Sequence, residues 1–209
     1  IFGAGAIGTT ISPWLSKGEA NIHLYDRPDV AQHINQHGLV SYPQENPSLL
    51  EHANLTAYSD LDEVPTPDII IFCVKNYSLD GVSKTLQHKF GKEVLVVGLQ
   101  NGIENQTILP RYFDHVIYGV VCYNAWIDNI GKAGYQKKGP IVLGHKGKVS
   151  QQQIQHVKDA FSQGVETFIS DHVDDAAHSK IVINLVNSLT TLVALHDKDL
   201  SKDKKFQKL

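Results

Sequence analysis

The sequence is short of several residue types, and each shortage narrows what the protein can be. Its 209 residues include no methionine and only two cysteines, Cys73 and Cys122, which form no CxxC pair. A disulfide framework is therefore excluded, and the low cysteine content suits a reducing cytoplasm. No apolar run reaches the length of a membrane span and no signal peptide is recognised, so we predict a cytoplasmic protein.

The sequence also lacks a large net charge and a metal-binding motif. The formal net charge is −3 and the pI is about 6.4, which gives no support for binding to nucleic acid or to an anionic membrane. Among the 11 histidines there is no H-x-x-H or HExxH motif, and we predict no metal site. With 42% hydrophobic and 20% charged residues, the composition is that of an ordinary globular protein.

What the sequence does contain is a regular alternation of apolar strands and helices. Strands are predicted at 21–26, 67–75, 93–99 and 115–123, with helices at 6–17, 28–37 and 78–89 and a short helix after Asn101. Proline at position 13 should kink the first helix or end it early. Repeated units of this kind predict an α/β fold with a doubly wound parallel sheet.

The pattern changes after residue 123. Residues 133–144 read as a β-hairpin, followed by a helix near 150–163 and a strand at 165–169. From residue 171 onward the pattern is helical. We therefore predict a Rossmann domain at 1–170, with its first strand trimmed, and the beginning of a truncated helical domain at 171–209.

A glycine-rich motif follows the remnant of the first strand. It consists of Gly3, Ala4, Gly5, Ala6, Ile7 and Gly8. The motif opens a helix, and an acidic residue, Asp26, lies about 20 positions further on. We therefore predict a dinucleotide-binding loop, in which Gly3 permits the tight turn, Gly5 lets the backbone approach the pyrophosphate and Gly8 allows close packing.

The end of the second strand carries two opposing signals for the cofactor. Asp26 is typical of a residue that binds the adenosine ribose of NAD, whereas Arg27 is suited to the 2′-phosphate of NADP. Either side chain could face the ribose. NADP and NAD therefore both remain open at this point.

Two further strands end in polar residues. Lys75 closes the strand at 67–75, and Asn101 stands next to Gly102 just after the strand at 93–99. Ligands of open α/β sheets bind at the carboxyl ends of the strands. Lys75 is thus either a cofactor contact or a surface lysine, and residues 100–102 are either a pocket wall or a simple turn.

The apolar helix near the end of the sequence keeps a polar stripe. At about 100° per residue, Lys180, Asn184, Asn187 and Thr191 fall within a wedge of roughly 60° on one face. Polar groups in such surroundings need partners. A structural hydrogen-bond network, a helix interface and a ligand site are the three explanations.

Taken together, the motifs resemble those of the ketopantoate reductase (2-dehydropantoate 2-reductase) family. The shared stretches, in order, are GAGAIG at 3–8, VKNY at 74–77, LQNGIEN at 99–105, GPIVLG at 139–144 and K-x-x-x-N-L-x-N at 180–187. The resemblance implies a Rossmann domain, a helical C-terminal domain and a cleft between them. It also implies NADPH as the hydride donor.

The resemblance also assigns roles to residues. It makes residues 3–8 the cofactor loop, Arg27 the 2′-phosphate ligand, Lys75 a lysine near the cofactor and Asn101 an asparagine of the cleft. Lys180 matches the catalytic lysine and Asn184 a substrate-binding asparagine.

The sequence departs from the commonest family pattern in the same helix. The second helix asparagine normally lies eight residues after the lysine, where this sequence has Ser188, and Asn187 comes one step earlier. The family also continues for roughly another hundred residues. These departures leave the exact substrate open.

The expected activity is reduction of a 2-keto acid to a 2-hydroxy acid, with 2-dehydropantoate giving pantoate in the biosynthesis of pantothenate and coenzyme A. The alternatives are a related two-domain dehydrogenase for another hydroxy acid and a non-catalytic nucleotide-binding regulatory module. The expected partner is a small-molecule substrate, and a homodimer through the helical domain is one possible assembly.

Overall fold

The computed structural model describes the backbone of residues 1–196 and the side chains of residues 1–185 and 192. The helices are α1 (Ala6–Leu15), α2 (Pro28–His37), α3 (Asn76–Phe90), α4 (Asn105–Ile108), α5 (Gln151–Ser162) and α6 (Val173–His196). The strands are β1 (His23–Tyr25), β2 (Leu39–Pro43), β3 (Glu51–Ala53), β4 (Thr56–Tyr58), β5 (Ile69–Phe72), β6 (Leu95–Gly98), β7 (Val116–Val121), β8 (Ala125–Asn129), β9 (Lys132–Tyr135), β10 (Ile141–His145) and β11 (Thr167–Ile169). Among these helices, none combines the length and apolarity needed to cross a membrane.

The main sheet is centred on one residue near the start of the chain. Phe2 pairs in parallel with Tyr25 on one side and with Phe72 on the other, and so joins the β1–β4 pair to the strands β5, β6, β7, β10 and β11. The strands β1, β4, β5, β6 and β7 run parallel to one another, whereas β10 is antiparallel to its neighbour β7. β11 is in turn parallel to β10. The predicted α/β fold is confirmed, with two reversed strands, β10 and β11, at one edge of the sheet.

Helices cover both faces of this sheet, because its central strands are apolar on both sides. Ile70 and Phe72 of β5 face α3, whereas Ile71 faces the core that contains Trp14 of α1 and Phe161 of α5. Val173 and Ala177 at the start of α6 are buried on the α3 side. This two-sided burial confirms the predicted doubly wound arrangement.

Helix starts and ends follow the local sequence. α2 begins at Pro28, as predicted, since proline is favoured in the first turn of a helix. α1 continues only two residues beyond Pro13 and ends at Leu15. α5 starts at a capping box, in which Ser150 and Gln153 each accept a hydrogen bond from the backbone N–H of the other.

The predicted hairpin at 133–144 is wrong. β9 pairs instead with β8 before it, around a turn at Gly131 with φ +74°, while β10 pairs with β7 in the main sheet. The two halves of the predicted hairpin therefore belong to different sheets. The smaller sheet has the order β3-β2-β9-β8, and β3 was not expected from the sequence.

The smaller sheet is tied to α1 by one carboxylate, that of Glu51 on β3. It accepts hydrogen bonds from Trp14 Nε1 at 2.6 Å and Tyr135 OH at 2.9 Å, and pairs with Lys17 at 2.6 Å and Lys138 at 3.3 Å. The Glu51 side chain is only 14% exposed. Burial acts to raise the pKa of Glu51, but the hydrogen bonds from Lys17, Trp14 and Tyr135 outweigh it and lower the pKa to about 2.

This cluster should make the stability of the fold sensitive to acid. A carboxyl whose pKa is lower in the folded state stabilises the fold above its unfolded pKa, and that stabilisation is lost as pH falls toward 2. When the pH falls from 6 to 3, the unfolding free energy of the wild type should decrease. We expect the decrease in Glu51→Gln to be smaller than that by about 1 to 2 kcal/mol. Urea unfolding at both pH values measures the difference. Glu19→Gln, at an exposed position, is the control and should behave as the wild type. Equal losses in Glu51→Gln and the wild type would contradict this prediction.

Candidate functional site

The glycine loop connects Phe2 to α1 at the carboxyl edge of the main sheet. Gly3 has φ +105°, a conformation that L side chains rarely adopt, and a Cβ there would lie 3.0 Å from the backbone of Cys73 and Val74. A Cβ on Gly8 would lie 1.9 Å from the carbonyl oxygen of Gly3. Both glycines are therefore required by close backbone packing.

Gly5 differs from its two neighbours in the motif. A Cβ at this position would meet nothing within 4 Å, and Gly5 is exposed at the N-cap of α1, where no side chain caps the helix. The N-terminal N–H groups of a helix favour anions. The space above Gly5 and the uncapped start of α1 could accommodate a pyrophosphate, and the assignment of Gly3, Ala4, Gly5, Ala6, Ile7 and Gly8 to the cofactor loop stays a prediction.

Asp26 and Arg27 at the end of β1 have different surroundings. Asp26 accepts hydrogen bonds from the backbone N–H of Ala4 at 2.6 Å and of Arg27 at 2.7 Å, so its carboxylate fixes the glycine loop. The Arg27 side chain is 75% exposed and makes only long ionic contacts, at 3.8 Å to Asp26 and 4.0 Å to Asp29. Arg27 is thus the more accessible of the two.

The ends of β5 and β6 meet beside the loop. Lys75 is exposed and forms the N-cap of α3, and the side chain of the next residue, Asn76, donates a hydrogen bond to the carbonyl oxygen of Asn101 at 3.0 Å. Asn101 itself is exposed. Gln100 is buried and donates to the carbonyl oxygens of Phe72 and Val74, so it joins the two strand ends rather than lining a pocket.

Lys180 lines a cavity of about 390 Å³ between α6 and the segments after β7 and β9. Its walls are Cys122, Tyr123, Asn124, Gln136, Lys137, Ala176, Ser179, Lys180 and Ile183. Lys180 is half-buried and makes no hydrogen bond or ion pair with any residue in the described part of the chain. Lys180 thus belongs to the lining of a cavity at the carboxyl end of β7, and its catalytic role stays a prediction.

The cavity wall is attached to α1. The Tyr123 hydroxyl lies 3.0 Å from the hydroxyl of Thr10, and its ring makes an edge contact with Trp14 at 5.2 Å. The helix that begins at the glycine loop thus also positions the wall facing Lys180. Asn184 lies one turn after Lys180 on α6, and the side chain of Asn187 lies outside the described residues.

The two cysteines have different surroundings. Burial raises the pKa of the Cys73 thiol to about 12, and Cys73 follows β5 beneath the glycine loop. Cys122 is exposed to the cavity, and although partial burial raises the pKa of its thiol, the nearby charge of Lys180 opposes that shift.

A larger cavity, of about 810 Å³, opens near the amino ends of β1 and β5, where His23 and Asp68 lie. It is at the other edge of the sheet from the glycine loop. Open α/β sheets bind their ligands at the carboxyl ends of the strands. The smaller cavity beside Lys180 is therefore the better candidate site.

Of the nine residues that line that cavity, sequence reasoning singled out only Lys180, and those it missed include Cys122, Asn124, Gln136 and Lys137. These four come from two segments that are distant in sequence and that the wrongly predicted hairpin had kept apart. The only available signal was the pair of lysines at 137–138, which resembles an ordinary polar turn.

The strand order around Phe2 and the glycine loop define a Rossmann-type α/β protein, a class whose glycine loops bind dinucleotides. More narrowly, the chain belongs to the ketopantoate reductase PanE/ApbA family, whose sequence model matches residues 1–148.

Individual relatives agree with this family. The 2-dehydropantoate 2-reductase of Pyrococcus abyssi is 26% identical over 200 residues, which are 95% of this chain and 65% of that protein. The chain thus spans slightly less than two thirds of this relative. A PanE/ApbA family ketopantoate reductase from Ralstonia eutropha is 26% identical, with a TM-score of 0.75 over 88% of this chain and 59% of that one.

A third similarity concerns the fold alone. D-mandelate dehydrogenase, in a ternary structure with NADH and anilino(oxo)acetate, has a TM-score of 0.78 at 22% identity. The match covers 99% of this chain and 67% of that one.

The glycines allow binding and folding to be tested separately. Gly8→Ala should destabilise the protein by about 3 kcal/mol or more, because its Cβ collides with a backbone oxygen. Gly5→Ala should lower the unfolding free energy by no more than about 1 kcal/mol, because alanine is a poorer N-cap than glycine, but should weaken NADPH or NADH binding at least about tenfold, since the methyl group occupies the expected phosphate space. Urea unfolding and fluorescence titration measure the two effects.

The matched control is Gly81→Ala on α3, where a Cβ also meets nothing within 4 Å. It should stabilise the helix by about 0.5 to 1 kcal/mol and leave dinucleotide binding unchanged. Unchanged dinucleotide binding in Gly5→Ala would argue against the loop as the phosphate site.

Proposed function

We propose that the protein catalyses the NADPH-dependent reduction of a 2-keto acid to a 2-hydroxy acid. The proposed substrate is 2-dehydropantoate, which gives pantoate for pantothenate and coenzyme A biosynthesis. The observation that carries the proposal is Lys180, which has no hydrogen bond or ion pair among the described residues and lines a cavity at the carboxyl edge of the sheet, in a chain of this family. When bound, the nicotinamide supplies the hydride.

The proposed cofactor contacts follow the edge of the sheet. Residues 3–8 bind the pyrophosphate, and Arg27 binds the 2′-phosphate with its exposed guanidinium. Both oxygens of the Asp26 carboxylate already accept backbone hydrogen bonds, which supports Arg27 rather than Asp26 as the determinant of cofactor choice. Lys75 and Asn101 are the proposed contacts nearer the nicotinamide.

In the proposed mechanism, Lys180 acts on the ketone oxygen. Reduction of a ketone leaves negative charge on this oxygen, and a positioned ammonium stabilises that charge and donates the proton. The amides of Asn101, Asn184 and Asn187 are proposed to orient the oxygens of the keto acid. Fixing the substrate in this way reduces the entropic part of the barrier.

The proposed division of the chain is a Rossmann domain at 1–170 and the beginning of a helical substrate domain at 171–209. Support comes from α6, on which four large apolar side chains are exposed: Val182, Ile183, Leu185 and Leu192. A row of this kind on one helix indicates a surface that packs against further structure. A homodimer formed through this helical region is a second way to cover it.

The Lys180 assignment predicts a change in chemistry without a change in cofactor binding. In the protein at its natural full length, Lys180→Ala should lower kcat by about 10²- to 10⁴-fold, because the proton donor is lost. The dissociation constant for NADPH should stay within about twofold. Steady-state turnover of 2-dehydropantoate and fluorescence titration with NADPH are the measurements.

Lys84→Ala on the exposed side of α3 is the control and should keep both quantities. Unchanged turnover in Lys180→Ala would rule out the proposed role. A wild-type protein that binds NADPH but reduces none of a panel of 2-keto acids would favour the regulatory module. Preference within the panel for a different keto acid would favour the related dehydrogenase.

The Arg27 assignment predicts an effect confined to one cofactor. Arg27→Gln should weaken NADPH binding about 10- to 100-fold, the range for loss of a charge-assisted contact to phosphate, and leave NADH binding within about twofold. Fluorescence titration with each cofactor measures this, with Arg111→Gln, which removes an exposed pair with Asp80, as the control. Tighter binding of NADH than of NADPH by the wild type would refute the assignment.

A further inference from the structure

The cavity beside Lys180 contains a second cation. Lys137, in the segment that follows β9, lines the same space, and none of the described residues that line it is an aspartate or glutamate. Two ammonium groups in a shared cavity repel each other unless an anion lies between or beside them. The lining therefore has the charge of an anion site.

Lys137 differs from the other lysines of its region. The others each have a partner, namely Tyr42 for Lys132, Glu51 for Lys138, Asp174 for Lys146 and Asp114 for Lys148. Lys137 makes no hydrogen bond or ion pair with the residues that the structure describes. Its charge is thus available to a ligand.

The backbone on both sides of Lys137 is held in place. Gln136 donates its N–H to the carbonyl oxygen of Asn124 at 2.9 Å and accepts a hydrogen bond from the Asn124 side chain at 3.1 Å. On the other side, Lys138 pairs with Glu51 and lies 4.5 Å from the centre of the Trp14 ring. An exposed side chain on an anchored segment binds a ligand at a smaller entropic cost.

We propose that Lys137 binds the carboxylate of the substrate and so leaves Lys180 for the adjacent ketone oxygen. This inference rests on the proposed function, because a 2-keto acid carries both groups on neighbouring carbons. A single lysine facing such a substrate would be drawn to the carboxylate, which is the more strongly charged of the two groups. Two lysines allow one to bind and the other to assist the chemistry.

The proposal is tested first by binding of oxamate, an unreactive analogue with one carboxylate, and of oxamide, its uncharged counterpart. Calorimetry in the presence of NADPH should show that Lys137→Gln weakens oxamate binding about five- to tenfold, a modest loss because the side chain is exposed. Oxamide binding should not change. Lys137→Arg, which keeps the charge, should bind oxamate within about threefold of the wild type.

Lys132→Gln is the matched control, since it removes a nearby lysine, on the strand β9 that precedes Lys137, that does not line the cavity. It should leave oxamate binding unchanged. Equal oxamate binding by Lys137→Gln and the wild type would overturn the proposal. Equal loss of oxamate and oxamide binding, or no oxamate binding by the wild type, would overturn it as well.

Kinetics separate this inference from the proposed function. For 2-dehydropantoate, Lys137→Gln should raise KM about tenfold and leave kcat within about threefold, the mark of a binding group rather than a proton donor. If the wild type is active and Lys137→Gln has the same KM, the role of Lys137 is refuted and the proposed function is unaffected. If the wild type binds oxamate through Lys137 but reduces no 2-keto acid, the proposed function is refuted and the anion site is supported.

Discussion

The close approach of Gly8 to the carbonyl oxygen of Gly3 is the constraint on which the site depends. It allows α1 to start directly at the edge of the sheet, with its uncapped N-terminus beside the space above Gly5. The same helix carries Thr10, which contacts Tyr123 in the cavity wall, and Trp14, which donates to Glu51. One helix thus links the phosphate loop, the cavity and the smaller sheet.

Charge is distributed unevenly between the two halves of the site. At the end of β1, Arg27 has carboxylates on both sides, and one of them, Asp26, holds the glycine loop through Ala4. Beside α6, in contrast, Lys137 and Lys180 line one cavity, and the described residues around it include no acidic one. The carboxylates beside Arg27 hold the guanidinium in place and also partly neutralise its charge. The charges of Lys137 and Lys180 are not neutralised in this way by the described residues that line their cavity.

The parts of the fold that could be predicted from the sequence are those set by neighbouring residues. Proline at position 28 marks the start of α2, the apolar run at 69–72 forms a strand buried on both faces, and the glycine spacing gives the loop. The hairpin at 133–144 was predicted wrongly because its turn-forming residues connect two different sheets. Local composition does not distinguish a hairpin turn from a connection of this kind.

The same limit applies to the site. Lys180 could be singled out because a polar stripe in an apolar helix is visible in one segment. Lys137 could not be singled out in this way. Its importance depends on a cavity that is built from three segments and that has no carboxylate among its described lining residues. β3 escaped notice because three residues, Glu51 among them, carry no strand pattern, although they anchor the smaller sheet.

The unequal surroundings of the two thiols have a practical consequence. Cys73 stays protonated at neutral pH beneath the glycine loop, whereas Cys122 is exposed in the wall of the cavity beside Lys180. A maleimide dye added to the unaltered protein would therefore attach at Cys122 in preference to Cys73. Cys122 is thus a labelling position that needs no mutation, and the fluorescence of a dye attached there would report ligand entry into the cavity in real time.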